Sequence, residues 1–236
     1  MPMTKDFKEA LTVQFRFLAF KEAKPDLVHH RNLYIGMVLL FTWLAGIGRY
    51  WDNPKAHLWQ HLGLGSLAYI FLMALLIWLT ILPLKPIAWT YLKVWTFVGL
   101  TSLPGVLYAI PVERFMSMEA SQAMNVLFLA IVATWRVSLL FSFLTRVARL
   151  NIWSMLVGAL LPIVLIITAL TALNLEHVVF NIMGGIRTED ISANDASYGI
   201  LFVITLFSIT ASPVFLLSYL IEIYRIRFKK RTHPSQ

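Results

Sequence analysis

No cysteine occurs in the sequence, which excludes disulfides, thiol nucleophiles and cysteine-bound metals and leaves the redox compartment unmarked. Charge is scarce as well: 14% of the 236 residues are Asp, Glu, Lys or Arg, against about 25% in a soluble domain. There is no Walker loop, dinucleotide fingerprint, nucleophile elbow or kinase signature. Residues Met1 to Arg31 hold no short apolar core leading to a small-residue cleavage site, so the first apolar run is expected to act as an uncleaved signal. Polar sequence between the apolar runs is too short for a separate soluble domain.

Apolar sequence is abundant instead. Hydrophobic residues make up 58% of the chain, where about 45–50% is usual for soluble domains, and the mean hydropathy is +0.72. A membrane-crossing helix needs roughly 20 mostly apolar residues. Six runs satisfy this: Asn32 to Gly48, Leu62 to Leu82, Ala88 to Ile110, Gln122 to Leu144, Ile152 to Leu173, and Tyr198 to Ile223. The expected fold is therefore an all-α, polytopic transmembrane bundle of about six spans. It divides into an N-terminal arm (1–31), a membrane domain (32–224) and a basic tail (225–236).

The net charge of +8 does not point to nucleic acid, because the cations flank the apolar runs. Assigning alternate loops to alternate sides places 15 Lys and Arg residues on one side and four on the other. The positive-inside rule then predicts both termini in the cytoplasm of, most plainly, a bacterial inner membrane. Trp51 and Trp59 fall at the predicted outer interface and Trp89 and Trp153 at the inner one, where indole rings prefer to sit.

In the arm, Phe7, Leu11, Phe15 and Leu18 follow at spacings of four, four and three and share one helical face, with Lys5, Lys8 and Glu9 on another. This pattern predicts an interfacial helix near anionic lipid, and Pro25 is expected to part it from the first span. The segment from Asn174 to Ser197 is expected to be a loop with an amphipathic turn at 178–183, and Asn194 or Asp195 to cap the sixth helix.

Arg136 lies inside the fourth run, where an arginine near the bilayer centre costs roughly 2.5–3.5 kcal/mol. At about 100° per residue, Gln122 and Asn125 share its helical face, so the three form a polar stripe expected to point into the bundle. Ala130, Thr134, Ser138 and Ser142 form a small-residue ridge on the other side, which predicts a central fourth span. Glu222 is the acidic candidate to pair with Arg136. It shares a line with Ser208, Ala211, Phe215 and Ser218 on the sixth span, although it lies roughly 10–15 Å closer to the cytoplasmic end. The Gly158 carbonyl, deprived of its intrahelical donor by Pro162, competes for the arginine.

His57 and His61 stand four apart, a spacing that puts both rings on one helical face as metal sites often require. His177, Glu176, Asp52 and Glu113 fall on the same side of the membrane. Without the intervening glutamate of the zinc-protease motif this is a weak pattern, and interfacial histidines beside Trp59 explain it equally. The expectation is no metal and no cofactor.

A basic amphipathic arm followed by a compact apolar bundle with short loops resembles the bacterial members of the Yip-domain family, small polytopic membrane proteins. The segments GIGRYWDNP (Gly46 to Pro54), LYAIPVERF (Leu107 to Phe115) and TALNLEHVVF (Thr171 to Phe180) also look like those of bacterial inner-membrane proteins. The resemblance covers the overall layout, and the function expected of the chain is a non-enzymatic membrane protein that organises a protein partner, a second copy or lipids, with the basic arm and tail as cytoplasmic contacts. Two alternatives stand beside it: a small-solute transporter or channel built on Gln122, Asn125 and Arg136, and a membrane metal enzyme using His57 and His61.

Overall fold

The computed structural model describes residues 2–21, 25–51, 56–173, 175 and 196–228. These residues form helices and turns throughout. Helix α1 spans Pro2–Leu18, α2 Arg31–Gly48, the short α3 Leu58–His61, α4 Leu64–Ile81, α5 Tyr91–Leu100, α6 Met118–Arg146, α7 Ile152–Ala172 and α8 Ala196–Phe228. Six segments are long and apolar enough to cross a membrane: Arg31–Gly48, Leu64–Leu84, Tyr91–Arg114, Glu119–Arg146, Ile152–Ala172 and Phe202–Phe228. The chain is an α-helical integral membrane protein, with the six spans where hydropathy places them. Residues 176–195, with His177, Glu176, Asn194, Asp195 and the expected turn at 178–183, lie outside the described residues, as does Asp52.

Local chemistry sets the helix ends. Thr90, Ser117 and Asn151 each accept a hydrogen bond from a free backbone N–H in the first turn of α5, α6 and α7. Gly63 begins α4 at φ +66, and a Cβ there would sit 2.8 Å from the Trp43 carbonyl, so only glycine fits. At the other end Pro83 and Pro86 follow α4, where the chain passes through a 3-10 turn, Leu82–Leu84.

Connecting turns gather on two faces. The turn after α4 meets the turn after α6 through Ile87 N–H donating to Ala148 O at 3.1 Å, and Arg146 donates to Phe20 O at 2.7 Å. Lys85 and Arg149 belong to these turns, and Arg225 and Arg227 end α8 beside the start of α7, where Glu222 meets Asn151 and Ser154, so we call this the basic face. On the opposite face, Trp43 donates to Leu62 O and Trp51 to Ala109 O.

The third span, not the fourth, is central. Of its most apolar window 56% is buried, against 22% for the fourth span and 6% for the sixth. Among the described residues, no helix packs onto the ridge of Ala130, Thr134 and Ser138. With Phe20, Ile131 and Trp135 it lines an open groove of about 490 Å³. The ridge was expected to be covered because small side chains permit close approach, but close approach occurs elsewhere. A Cβ on Gly99 of α5 would overlap Val38 of α2, one on Gly46 would lie 2.7 Å from Ser66 Oγ of α4, and one on Gly158 would lie 2.5 Å from Ile81. Around these contacts Ile70, Ile81, Val94, Leu100, Leu139 and Leu144 are almost wholly buried, and Phe97 stacks on Phe143 with ring centroids 4.2 Å apart.

The third span is also broken. Helix α5 stops at Leu100, and the chain continues as 3-10 helices over Leu103–Ala109 and Val112–Arg114. Pro104 has no N–H to offer the Leu100 carbonyl four residues earlier. Gln14 of α1 supplies the missing donor, Nε2 to Leu100 O at 3.3 Å, from a side chain that is 1% exposed. An equivalent local repair occurs at Pro213 of α8, where the Ser212 hydroxyl donates to the Ile209 carbonyl at 3.1 Å.

The arm is accordingly part of the bundle. Its protein-facing stripe is Ala10, Gln14 and Leu18, with Phe17 edge-on to Phe97 and Trp135 of α6 donating to Leu18 O at 2.9 Å. Of the face expected to meet lipid, Leu18 turns inward while Phe7 and Phe15 remain exposed. The helix thus carries two apolar surfaces, one against protein and one outward. The linker to α2 is held by Asp26, which accepts from the backbone N–H groups of Val28 and His29. The His29 N–H and then its ring hold the Asp26 carboxyl below its ordinary range.

If close approach of α2 and α5 organises the core, Gly99→Leu should lower stability by about 1–3 kcal/mol, the usual cost of overpacking. Combining it with Val38→Ala should recover part of that loss. Thermal unfolding of the detergent-solubilised chain measures both, and an unchanged midpoint in Gly99→Leu would contradict the packing.

Candidate functional site

The expected pairing of Arg136 with Glu222 does not form. Glu222, 2% exposed, accepts a short hydrogen bond from the Ser154 hydroxyl at 2.6 Å and a longer one from Asn151 Nδ2 at 3.3 Å. Arg225 stands one turn along α8, with Nη1 3.8 Å from the other carboxylate oxygen. Asn151 is the N-cap of α7 and its own Oδ1 accepts from Ser154 N. The carboxylate therefore sits at the positive end of α7, where a negative charge is favoured by about 0.3–1 kcal/mol. It fastens α8 to α7 at the basic face. Higher up the same pair of helices, Thr168 donates to Ser208 O at 3.2 Å, and Tyr219 donates to Thr80 O of α4 at 2.6 Å.

Ser154 and Asn151 were not singled out by sequence, because they lie 68 and 71 residues from Glu222. A usable signal existed: an Asn with a Ser three residues later opening an apolar run marks a helix start, and a helix start is a natural seat for the acidic residue of another span.

Arg136 turns the other way. Its guanidinium lies over the ring of Tyr69 in α4, 5.2 Å from the centroid. Arg49, just past the end of α2, stands 5.1 Å from the Tyr108 centroid and 5.7 Å from that of Tyr50. Arg114 lies 4.9 Å over Trp51. Arg49, Arg114 and Arg136 are thus each laid on aromatic rings, contacts that are worth about 0.5–1 kcal/mol when exposed and about 2 or more when desolvated. Among the described residues Arg136 forms no hydrogen bond or ion pair, the Gly158 carbonyl included.

The polar stripe does not converge. Asn125 donates to Glu113 Oε1 at 2.7 Å, bracing α6 against the end of the third span, and Gln122 is half-buried one turn earlier. Eleven positions separate Asn125 from Arg136, about 16 Å along the helix. Asn125 and Arg136 share a helical face but meet different partners at different depths. His57 opens α3, where its backbone N–H donates to Gln60 Oε1 at 2.8 Å; His57 is exposed and His61 half-buried. Among the described residues no three His, Asp or Glu side chains come together as metal ligands, and His177 lies outside them.

No family model matches the chain, and no curated protein or solved structure shows significant similarity to it.

Removing the carboxylate of Glu222 or its short donor tests the α7–α8 fastening. Glu222→Ala and Ser154→Ala should each cost about 1–3 kcal/mol, and the double variant should lose less than the sum because the two share one interaction. Denaturant unfolding in micelles gives these values, and strict additivity would show that the two side chains act independently.

Proposed function

We propose that this chain is a non-enzymatic membrane protein that organises anionic lipid, and proteins drawn to it, at its basic face. The observation that carries this reading is the two-sided arm. Gln14 and Leu18 lock α1 into the bundle, while Phe7 and Phe15 point outward at 37% and 58% exposure beside the exposed Lys5, Lys8 and Arg16. A helix fixed in this way holds a basic, aromatic edge at headgroup depth. Polar side chains support the same reading, because Glu222, Asn125 and Gln14 each bridge one element to another.

The loop cations support an orientation with both termini in the cytoplasm of a bacterial inner membrane. The likeness in layout to Yip-domain proteins, and the partner or self-association that it implies, belongs to this same proposal. The chain has six candidate spans, where that family usually has five.

A second reading, passage of a small solute, draws support from one feature. The third span is interrupted near Thr101 and Ser102, and among the described residues the buried hydroxyls of Thr42, Thr96 and Ser102 have no hydrogen-bond partner. Discontinuous spans line substrate paths in many transporters.

The full chain purified from native membranes should retain an excess of anionic over zwitterionic lipid. Replacing Lys5, Lys8 and Arg16 with Gln should reduce that excess at least tenfold, given roughly 1 kcal/mol per basic residue near an anionic surface. Lipid mass spectrometry reads this directly. The same lipid profile in wild type and variant would overturn the proposal, and solute uptake by reconstituted vesicles that fails in Arg136→Ala would favour the second reading.

A further inference from the structure

Among the described residues, nothing fills the groove between the end of α1 and α6. Ala130, Thr134 and Ser138 make its floor, Phe20 and Trp135 stand beside them, and its volume is about 490 Å³. It belongs to the fourth span, Glu119–Arg146, and Ala130, Ile131 and Thr134 are exposed. The groove therefore opens toward hydrocarbon, where only an apolar occupant is stable.

Its walls are fixed by hydrogen bonds. Trp135 is held by Leu18 O. Two backbone bonds wrap the end of α1, Lys21 N–H to Arg16 O and Phe20 N–H to Phe17 O, which puts Phe20 in the left-handed position of the helix end at φ +59. Glycine is usual there, and a bulky residue is strained. The Phe20 side chain is nonetheless 39% exposed and turned to the groove, while its carbonyl is clamped by Arg146 at 2.7 Å.

That clamp sets cations at one end. Arg146 continues the row of Ala130, Thr134, Ser138 and Ser142 at intervals of four, about 12 Å beyond Ser138 along the helix. The bond to Phe20 leaves further donors in its guanidinium fork. Lys21 directly follows Phe20, and both cations are exposed. An apolar groove that ends in positive charge complements a molecule with a hydrocarbon tail and an anionic head. A second copy packed ridge to ridge about a two-fold axis would instead bring the same cations together, a like-charge contact.

We propose that this groove seats one acyl chain of an anionic phospholipid, with the lipid phosphate against Arg146 and Lys21. Forked and point-charge donors both suit phosphate oxygens. The inference rests on the proposed function, and it gives one molecule of the anionic lipid a defined place beside the arm.

The test uses the full chain, delipidated in a neutral, non-ionic detergent. Dioleoyl phosphatidylglycerol, dioleoyl phosphatidylcholine and the short-chain dihexanoyl phosphatidylglycerol are titrated separately, with native mass spectrometry counting bound lipid. One dioleoyl phosphatidylglycerol per chain should bind about tenfold or more tightly than either of the others, because headgroup charge and a seated tail both contribute. Lys21→Gln should weaken it about fivefold, the scale of one basic residue at an anionic surface. Thr134→Leu, which fills the floor, should weaken it about tenfold or more. Phe20→Gly relieves the left-handed strain and keeps the fold, yet should hold the lipid less tightly, so it carries the comparison if Thr134→Leu fails to fold. Undiminished binding in folded Thr134→Leu, or in Phe20→Gly where that variant stands in for it, overturns the proposal. Equal binding of the two dioleoyl lipids overturns it too, as does a dimer that Thr134→Leu dissociates. The arm variant separates this inference from the reading beneath it. Loss of the single lipid in Thr134→Leu, with an overall anionic excess that ignores Lys5, Lys8 and Arg16, would sustain the groove and sink the arm. The reverse pattern would sink the groove alone.

Discussion

Hydrocarbon offers no hydrogen bonds, so each backbone carbonyl inside a membrane needs a donor from the protein itself. In this chain that requirement is most acute at Leu100. Pro104 removes the donor that a continuous helix would have provided, and the most buried span of the bundle breaks there. The replacement comes from Gln14, 86 residues away. The amide of one side chain thereby commits α1 to the interior, and much follows from that commitment. Leu18 joins the main core, Trp135 of α6 gains an acceptor, and Arg146 caps the chain at Phe20. The outward edge of α1 is then fixed rather than free to roll.

The rest of the architecture applies the same economy of polar groups. Side-chain donors and acceptors in the spans serve as struts between helices: Glu222 on the start of α7, Asn125 on Glu113, Tyr219 on the Thr80 carbonyl. Struts of this kind bring rigidity where dispersion alone gives little specificity, since lipid tails are as apolar as the side chains they replace. Glycines at the α2–α5, α2–α4 and α4–α7 crossings allow backbones close enough for the struts to reach. Arg49, Arg114 and Arg136 depart from this pattern and rest on aromatic rings.

Much of the fold was legible in the sequence because hydropathy is a property of whole segments. Runs of some twenty apolar residues define spans whatever their neighbours do, and the line through Ser208, Ala211, Phe215, Ser218 and Glu222 marks the less exposed side of α8. The site was less legible because it depends on pairs. Carboxylates are the natural partners for Arg136 in a sequence, and Tyr69 does not stand out because an aromatic ring carries no formal charge. The ridge of Ala130, Thr134 and Ser138 suggested a buried fourth span, yet small residues permit contact without requiring it. Pro104 gave no warning of the break, because prolines within spans usually produce only a bend. The arm was read by its most apolar face, whereas its anchor is a polar side chain on the flank of that face.

The dependence of the third span on Gln14 is open to direct measurement by a double-mutant cycle between Gln14 and Pro104, followed by unfolding in micelles. With proline at 104, Gln14→Ala should cost about 1–3 kcal/mol, the penalty for leaving a buried carbonyl unpaired. In the Pro104→Ala background the restored N–H can serve Leu100, and the same replacement should cost less than half as much. An equal cost in both backgrounds would show that Gln14 stabilises the bundle for some reason other than the broken span.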